Sequence, residues 1–373
     1  MIDSILQCSN QENNAKGRMS AMRNRNYVVT ACIFATVLLV SAPVLKAQKT
    51  WYASAGAESF DQAVQGDGFF PNELWITAGD SIQWTFVPRN EPHTVTFLAP
   101  GQVRPLPPPP IGPPPPPAGP PFAFPAACGP FTTPQTYAGT STSCVSSNVN
   151  NGGTTFTVTF PNPGNYKLIC LIHTDMNGAV HVVPHGTNLP YSQNFYTAEG
   201  LEQALTLTGL PWQFQPSQFL SFNSNANTVI AGTGQIAGTG GGTQYRAVVR
   251  FINGNITIHK GQSVTWTNMD PTEPHTVTFG TEPANFDPTA TVNLGTAALD
   301  GTLTGTVNST SAFLNSGFIQ TQAPDRAAPA PGDNQLPIGT TRITITFPNP
   351  GTYQYHCALH DVDGMVGTVF VLP

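Results

Sequence analysis

Charge is what this chain of 373 residues has least of. Asp, Glu, Lys and Arg make up only 9% of it, against about a quarter in an ordinary soluble domain. With 14 Lys and Arg, 20 Asp and Glu and a net charge of -6, there is no basic surface to attract a phosphate backbone, which argues against a nucleic-acid partner. Also missing are a G-x-S-x-G elbow, a P-loop and an H-E-x-x-H helix, and acidic residues are too sparse to suggest a catalytic carboxylate pair. These absences lower the case for an enzyme. One long apolar run occurs, Tyr27 to Leu45, preceded by Lys16, Arg18, Arg23 and Arg25 and followed by Lys46-Ala47. Residues 1–47 therefore read as an export signal, or as an N-terminal membrane anchor if the segment is retained. What the chain has in quantity is turn formers, 35 Gly and 37 Pro, a composition that suits β-sandwiches more than helices.

Beyond residue 47 the sequence repeats itself. Glu91-Pro92-His93-Thr94-Val95-Thr96-Phe97 returns as Glu273-Pro274-His275-Thr276-Val277-Thr278-Phe279. Phe156-Thr157-Val158-Thr159-Phe160-Pro161-Asn162-Pro163-Gly164 returns as Ile343-Thr344-Ile345-Thr346-Phe347-Pro348-Asn349-Pro350-Gly351. Both carry the period-two alternation of half-buried strands, broken by a Pro-Gly turn. The histidine recurs after 182 residues (275 − 93) and the following cysteine after 187 (357 − 170). The spacing predicts a duplication with unequal insertions. The expected organisation is a first domain over 48–184 with a Pro-rich insertion at 104–130, a linker over 185–245 partly packed on the second domain, and a second domain over 246–373. Within the linker, Ala198 to Leu207 has weak helical spacing, and Gly232 to Gly242 reads as a flexible segment. The span from Glu282 to Leu336 reads as surface loop with one short hairpin.

Each copy closes on the same chemistry. Cys170, His173 and Met176 lie together in the first, and Cys357, His360 and Met365 in the second, with His93 and His275 upstream. One soft thiolate, two imidazoles and one thioether form the donor set of a mononuclear copper site suited to electron transfer. Thiolate and thioether favour Cu(I), imidazole tolerates both oxidation states, and a trigonal site with a long axial bond compromises between them. The expected content is one type 1 copper per domain, two per chain. A lone Cys-x2-His would be weak evidence, since such pairs also bind zinc. Four donors in the same order, found twice, are strong evidence.

These motifs resemble the cupredoxins. Cys357-x2-His360-x4-Met365, followed by Val366-Gly367-Thr368-Val369, has the loop of plastocyanin and pseudoazurin. Cys170-x2-His173-x2-Met176 has the shorter loop of amicyanin. The resemblance implies an all-β chain of two Greek-key β-sandwich domains in tandem with long loop insertions. It further implies that His173 or His360 presents its ring at the surface as the electron port. The implied activity is that of an exported electron carrier, periplasmic or extracellular, exchanging single electrons with redox partner proteins. The alternatives are a copper-dependent oxidase or nitrite-reductase-like enzyme, or a copper storage or delivery protein. In such enzymes further histidines belong where Val95, Val277, Leu171 and Ala358 stand here, so His356 is expected to face outward from its strand. His181, His185 and His259 are expected at the surface. Cys8 and Cys32 fall in the export segment, which leaves Cys128 and Cys144 to form a bridge in an oxidising compartment, two free thiols being the alternative.

Overall fold

The computed structural model describes residues 48–104, 128–129, 131–209, 227–284, 286–288, 290–296, 302–319 and 341–373. The expected export segment and all but the ends of the insertion at 104–130 lie outside them. The first half contributes β1 (Thr50–Glu58), β2 (Val64–Phe70), β3 (Glu73–Thr77), β4 (Ser81–Phe86), β5 (Thr96–Phe97), β6 (Gln135–Thr136), β7 (Val145–Ser146), β8 (Thr155–Thr159), β9 (Gly164–Ile169) and β10 (Asn177–Val183). A helix α1 (Gln193–Thr208) follows. The second half contributes β11 (Thr228–Gly238), β12 (Thr243–Ile252), β13 (Asn255–His259), β14 (Ser263–Met269), β15 (Thr278–Phe279), β16 (Thr291–Val292), β17 (Leu303–Thr306), β18 (Leu314–Ser316), β19 (Arg342–Thr346), β20 (Gly351–His356) and β21 (Val366–Leu372).

Alternation along the strands determines which face is buried. In β4 Ile82, Trp84 and Phe86 point inward while Ser81, Gln83 and Thr85 stay half-exposed, and β14 repeats this with Val264 and Trp266. Each half is a sandwich with its own apolar core, one built around Trp84, Phe97 and Phe160, the other around Trp266, Phe279 and Phe347. The described residues are thus all-β with two sandwiches in tandem, as the sequence predicts, plus one helix. The Cys128–Cys144 bridge is present.

One feature of the pairing goes beyond two separate sandwiches. A single ten-stranded sheet runs β17-β19-β14-β11-β12-β2-β1-β4-β8-β6, so one sheet of each sandwich continues into the other. The junction is the antiparallel pair β2 and β12, with Tyr245 opposite Asp67, Arg246 opposite Gly66, Ala247 opposite Gln65 and Val248 opposite Val64. Flanked on both sides, β2 is buried along its whole length, polar Gln65 and Asp67 included. The outer sheets remain separate, β3-β10-β9-β5-β7 in the first half and β13-β21-β20-β15-β18-β16 in the second.

Segment 185–245 differs from a linker leaning on the second half. Its helix begins earlier than its apolar spacing suggests, at Gln193, where the Ser192 hydroxyl accepts from the Phe195 amide. The helix docks on the first sandwich. Tyr196 donates to the Trp75 carbonyl and packs edge-on against Trp51, and a β-carbon at Gly200 would come within 2.9 Å of the Phe70 and Pro71 backbone. Arg246 donates to the carbonyls of Thr206 and Leu207, satisfying the end of the helix. The Gly/Thr run expected to be flexible is instead the end of β11 and its turn into β12, with the Thr239 amide donating to the Gly242 carbonyl at 2.8 Å.

Candidate metal centres

In the first half, His93 enters just ahead of β5 and is fastened by reciprocal backbone bonds with Asn150, 2.9 and 3.0 Å. Cys170 follows the end of β9. Its amide donates to the Met176 carbonyl at 3.0 Å and the Met176 amide to the His173 carbonyl at 3.2 Å, which closes residues 170–176 into a tight loop. Thr94 ties the two segments together, its amide donating to Cys170 Sγ at 3.3 Å and its hydroxyl accepting from the Leu171 amide at 2.7 Å. The result places His93 Nδ1 3.0 Å from His173 Nδ1, and Cys170 Sγ 3.7 Å from the latter. Met176 is fully buried in the same core cluster as Cys170. Arg104 braces this loop from outside by donating to the carbonyls of Cys170, His173 and Thr174.

The second half builds the same arrangement. Cys357 donates through its amide to the Met365 carbonyl at 3.0 Å, and Met365 to the His360 carbonyl at 2.9 Å. Thr276 repeats the role of Thr94, with 3.3 Å from its amide to Cys357 Sγ and 2.7 Å from the Ala358 amide to its hydroxyl. His275 Nδ1 stands 3.2 Å from His360 Nδ1, and Cys357 Sγ lies 3.4 Å from His360 Nδ1 and 3.9 Å from His275 Nδ1. In each half the Cys and two His donor atoms all fall within 4.8 Å of one another.

Two ring nitrogens aimed at one point some 3 Å apart repel unless a proton or a cation stands between them. Burial alone would raise the Cys170 thiol, but His173 and His93 beside it pull it well below its ordinary value, and His360 and His275 do the same to Cys357. In the metal-free chain each pocket is therefore poised as thiolate and imidazolium, the pairing a metal ion displaces. Two nitrogens and a thiolate in each pocket, with a buried methionine in the same core cluster as the cysteine, fit copper by donor softness.

A glycine stands behind each upstream ring. Gly56 and Gly232 both adopt left-handed φ, +72° and +76°, and a β-carbon at either would overlap the ring of His93 or His275. Each occupies the irregularity in its strand, between Ala55 and Ala57 in β1 and between Ala231 and Thr233 in β11. Asp67 of β2 approaches His93 Nε2 at 3.6 Å from the same side.

The model of the copper binding proteins, plastocyanin/azurin family, matches residues 242–372. That segment is similar to the cupredoxins. Among solved structures the chain is similar to a purple cupredoxin from Nitrosopumilus maritimus at 21% identity, covering 39% of this chain and 98% of that one with a TM-score of 0.20. It is also similar to plastocyanin from Dryopteris crassirhizoma at 19% identity, covering 39% and 99% with a TM-score of 0.20. A multicopper oxidase is similar at 12% identity over 87% of this chain and 88% of that one, again with a TM-score of 0.20. No curated protein matches.

In one respect the structure departs from what the resemblance implies. His173 and His360 are not surface ports, being only 4% and 2% exposed. Pairing of β2 with β12 turns the ligand ends of the two sandwiches toward each other, and the rings meet at the junction. Between them lie Glu91 and Glu273, each 7% exposed. His173 Nε2 is 3.0 Å from Glu91 Oε1 and 3.4 Å from Glu273 Oε1. His360 Nε2 is 3.6 Å from Glu91 Oε2 and 3.9 Å from Glu273 Oε2. Burial would raise the Glu91 carboxyl, but hydrogen bonds from His173 and His360 outweigh it and hold the group ionised. The sequence reading missed both glutamates and Asp67. Its one available signal was that each glutamate precedes the upstream histidine by two residues in both copies, in a chain with few charges.

The remaining histidines are peripheral. His356 is partly exposed and paired with Glu282 at 2.9 Å. His181 pairs with Glu73 at 2.9 Å and stacks on Trp75, while His185 and His259 are exposed.

Proposed function

We propose that each sandwich binds one copper in a type 1 site, two per chain, and that the protein carries single electrons between redox partner proteins. His93, Cys170 and His173 with Met176 would hold the first ion, and His275, Cys357 and His360 with Met365 the second. Bound copper supplies one-electron exchange between Cu(I) and Cu(II). The chain supplies a rigid cage. Closed loops at 170–176 and 357–365, fastened by Thr94 and Thr276, keep the donors from relaxing toward the geometry either oxidation state prefers. The observation that carries this reading is the convergence, in both halves, of a thiolate and two imidazoles beside a buried methionine.

Export to the periplasm or extracellular space, with the N-terminal segment cleaved or kept as an anchor, is part of the proposal. The Cys128–Cys144 bridge supports it, because such bonds persist in oxidising compartments. The test is elemental analysis with a visible spectrum. Two coppers per chain and an intense thiolate-to-Cu(II) charge-transfer band are expected, with Cys170→Ser and Cys357→Ser each removing one copper and the double variant removing the band. A chain that takes up copper without that band would sink the electron-carrier reading in favour of storage.

A further inference from the structure

The two centres face each other through shared acids. Each imidazole that turns Nδ1 into its own pocket turns Nε2 toward the same pair of carboxylates. Each carboxylate addresses both rings, Oε1 toward His173 and Oε2 toward His360. The two glutamates are equivalent positions of the duplicated sequence, so the arrangement is symmetric in origin: each ring meets one acid of its own half and one of the other. Glu273 is fixed by its backbone, its amide donating to Asp270 Oδ1 at 2.8 Å and its carbonyl accepting from Asn268 Nδ2 at 2.8 Å. Glu91 adjoins Asn90, which reaches across to Asp363 in the ligand loop of the second half at 2.9 Å.

Burying two carboxylates is costly unless they are paired. Apolar residues of similar volume would often hold such a junction as well or better. Acids at this place, repeated in both copies and each aimed at both rings, make sense as a link between the centres rather than as packing. They orient the His173 ring through a hydrogen bond to Glu91 and hold the His360 ring in an ion pair, and outer partners of this kind tune metal ligands. They also set one carboxylate directly between the rings, Glu91 hydrogen-bonded to His173 Nε2 at 3.0 Å and within ion-pair range of His360 Nε2 at 3.6 Å.

Building on the copper reading, we propose that Glu91 and Glu273 are positioning residues for electron exchange within the chain, a double carboxylate bridge that couples the two centres through His173 and His360. In each event one electron leaves the reduced centre and enters the oxidised one. Both Nε2 protons stay in place and no bond is made or broken.

The experiment uses the full chain carrying Met365→Gln, which replaces the thioether that would hold the second copper and so should separate the two centres in potential and spectrum. Reduced with less than one electron per chain, it should show a redistribution phase whose rate does not depend on protein concentration. Adding Glu91→Gln with Glu273→Gln keeps the size of both side chains but leaves each a single acceptor oxygen. That phase should then slow by about tenfold or more, the scale of outer-partner losses at metal sites, with two coppers per chain retained. An unchanged rate, or a phase that scales with concentration, overturns the bridge. So does a third metal ion per chain that is lost in the glutamine variants, since the cluster of Asp67, His173 and Glu273 would then be a metal site of its own. A metal-free readout separates failure of the bridge from failure of the copper reading. In apoprotein, Glu91→Gln alone should shift the imidazole 15N resonances of both His173 and His360, and a shift at His173 only would overturn the shared bridge.

Discussion

Gln65 of β2 lies directly opposite Ala247 of β12, and these are the same position in the two copies, separated by 182 residues (247 − 65) as His93 is from His275. An antiparallel pair that joins a residue to its own duplicate has a local two-fold axis through it. Across the junction Glu91 comes to face Glu273, and His173 to face His360. The geometry of the junction thus follows from one strand pairing.

Removing one bridging acid should cost stability as well as coupling. In Glu91→Ala two buried imidazole N–H groups lose a charged partner, and the expected loss is about 3 kcal/mol, the scale of a broken buried ion pair. Urea unfolding of the metal-free chain measures it. A loss within about 0.5 kcal/mol, typical of surface substitutions, would show that the carboxylate contributes nothing at the junction.

The glycines behind the upstream rings predict a selective defect. Gly232→Ala adds a β-carbon that overlaps His275 and strains a left-handed φ, so the second centre should lose about 10- to 100-fold in copper affinity while the first is unaffected. Gly56→Ala should do the reverse. Competitive titration against a chelator of known affinity distinguishes the sites, and equal loss at both would contradict the placement of these rings.

Arg104 predicts an asymmetry between halves. Its guanidinium donates to three carbonyls of the 170–176 loop, and Arg104→Ala should destabilise the first half by about 2 kcal/mol. Hydrogen exchange in that loop should quicken, with the amides of 357–365 unchanged.

Copper uptake should depend on pH with a definite sign. Burial alone would lower the His173 ring, but Asp67, Cys170 and Glu91 outweigh it and raise it well above its ordinary 6.5; for His360 the opposing groups are Cys357 and Glu91. Both rings therefore hold a proton in the metal-free chain at neutral pH, and loading must expel it. Apparent affinity should climb with pH until the raised imidazole values are passed. The same raised values contribute folding stability that is complete below 6.5 and is lost as pH rises through them, so the metal-free chain should weaken toward alkaline pH. Calorimetry in buffers of different ionisation heat counts the protons released, and a count near zero would refute the assignment.

The candidate donors could be picked out in the sequence because they are chemically distinctive and arrive in the same order twice. Cys170, His173 and Met176 are neighbours in sequence, and a loop of that length can only bring them together. His93 was legible through its repeat at His275 and the strand that follows each. Glu91 and Glu273 stood in the same repeated words but carried no visible role, because their partners lie in the opposite half of the chain. Segment 185–245 was misread for a related reason. The strand β11 has a Gly-rich, weakly patterned sequence, and only its place beside β12 and β14 makes it part of a core.

By itself, then, the sequence indicated most of the strands, the two cores and the candidate donors, since alternation, turn chemistry and loop length act over short spans of chain. Tertiary structure alone decided that the two pockets look at each other across buried carboxylates instead of out into solvent. That outcome rests on pairing between the backbones of β2 and β12, and backbone N–H and C=O groups are the same in every strand, so side-chain pattern leaves little trace of which edges will meet.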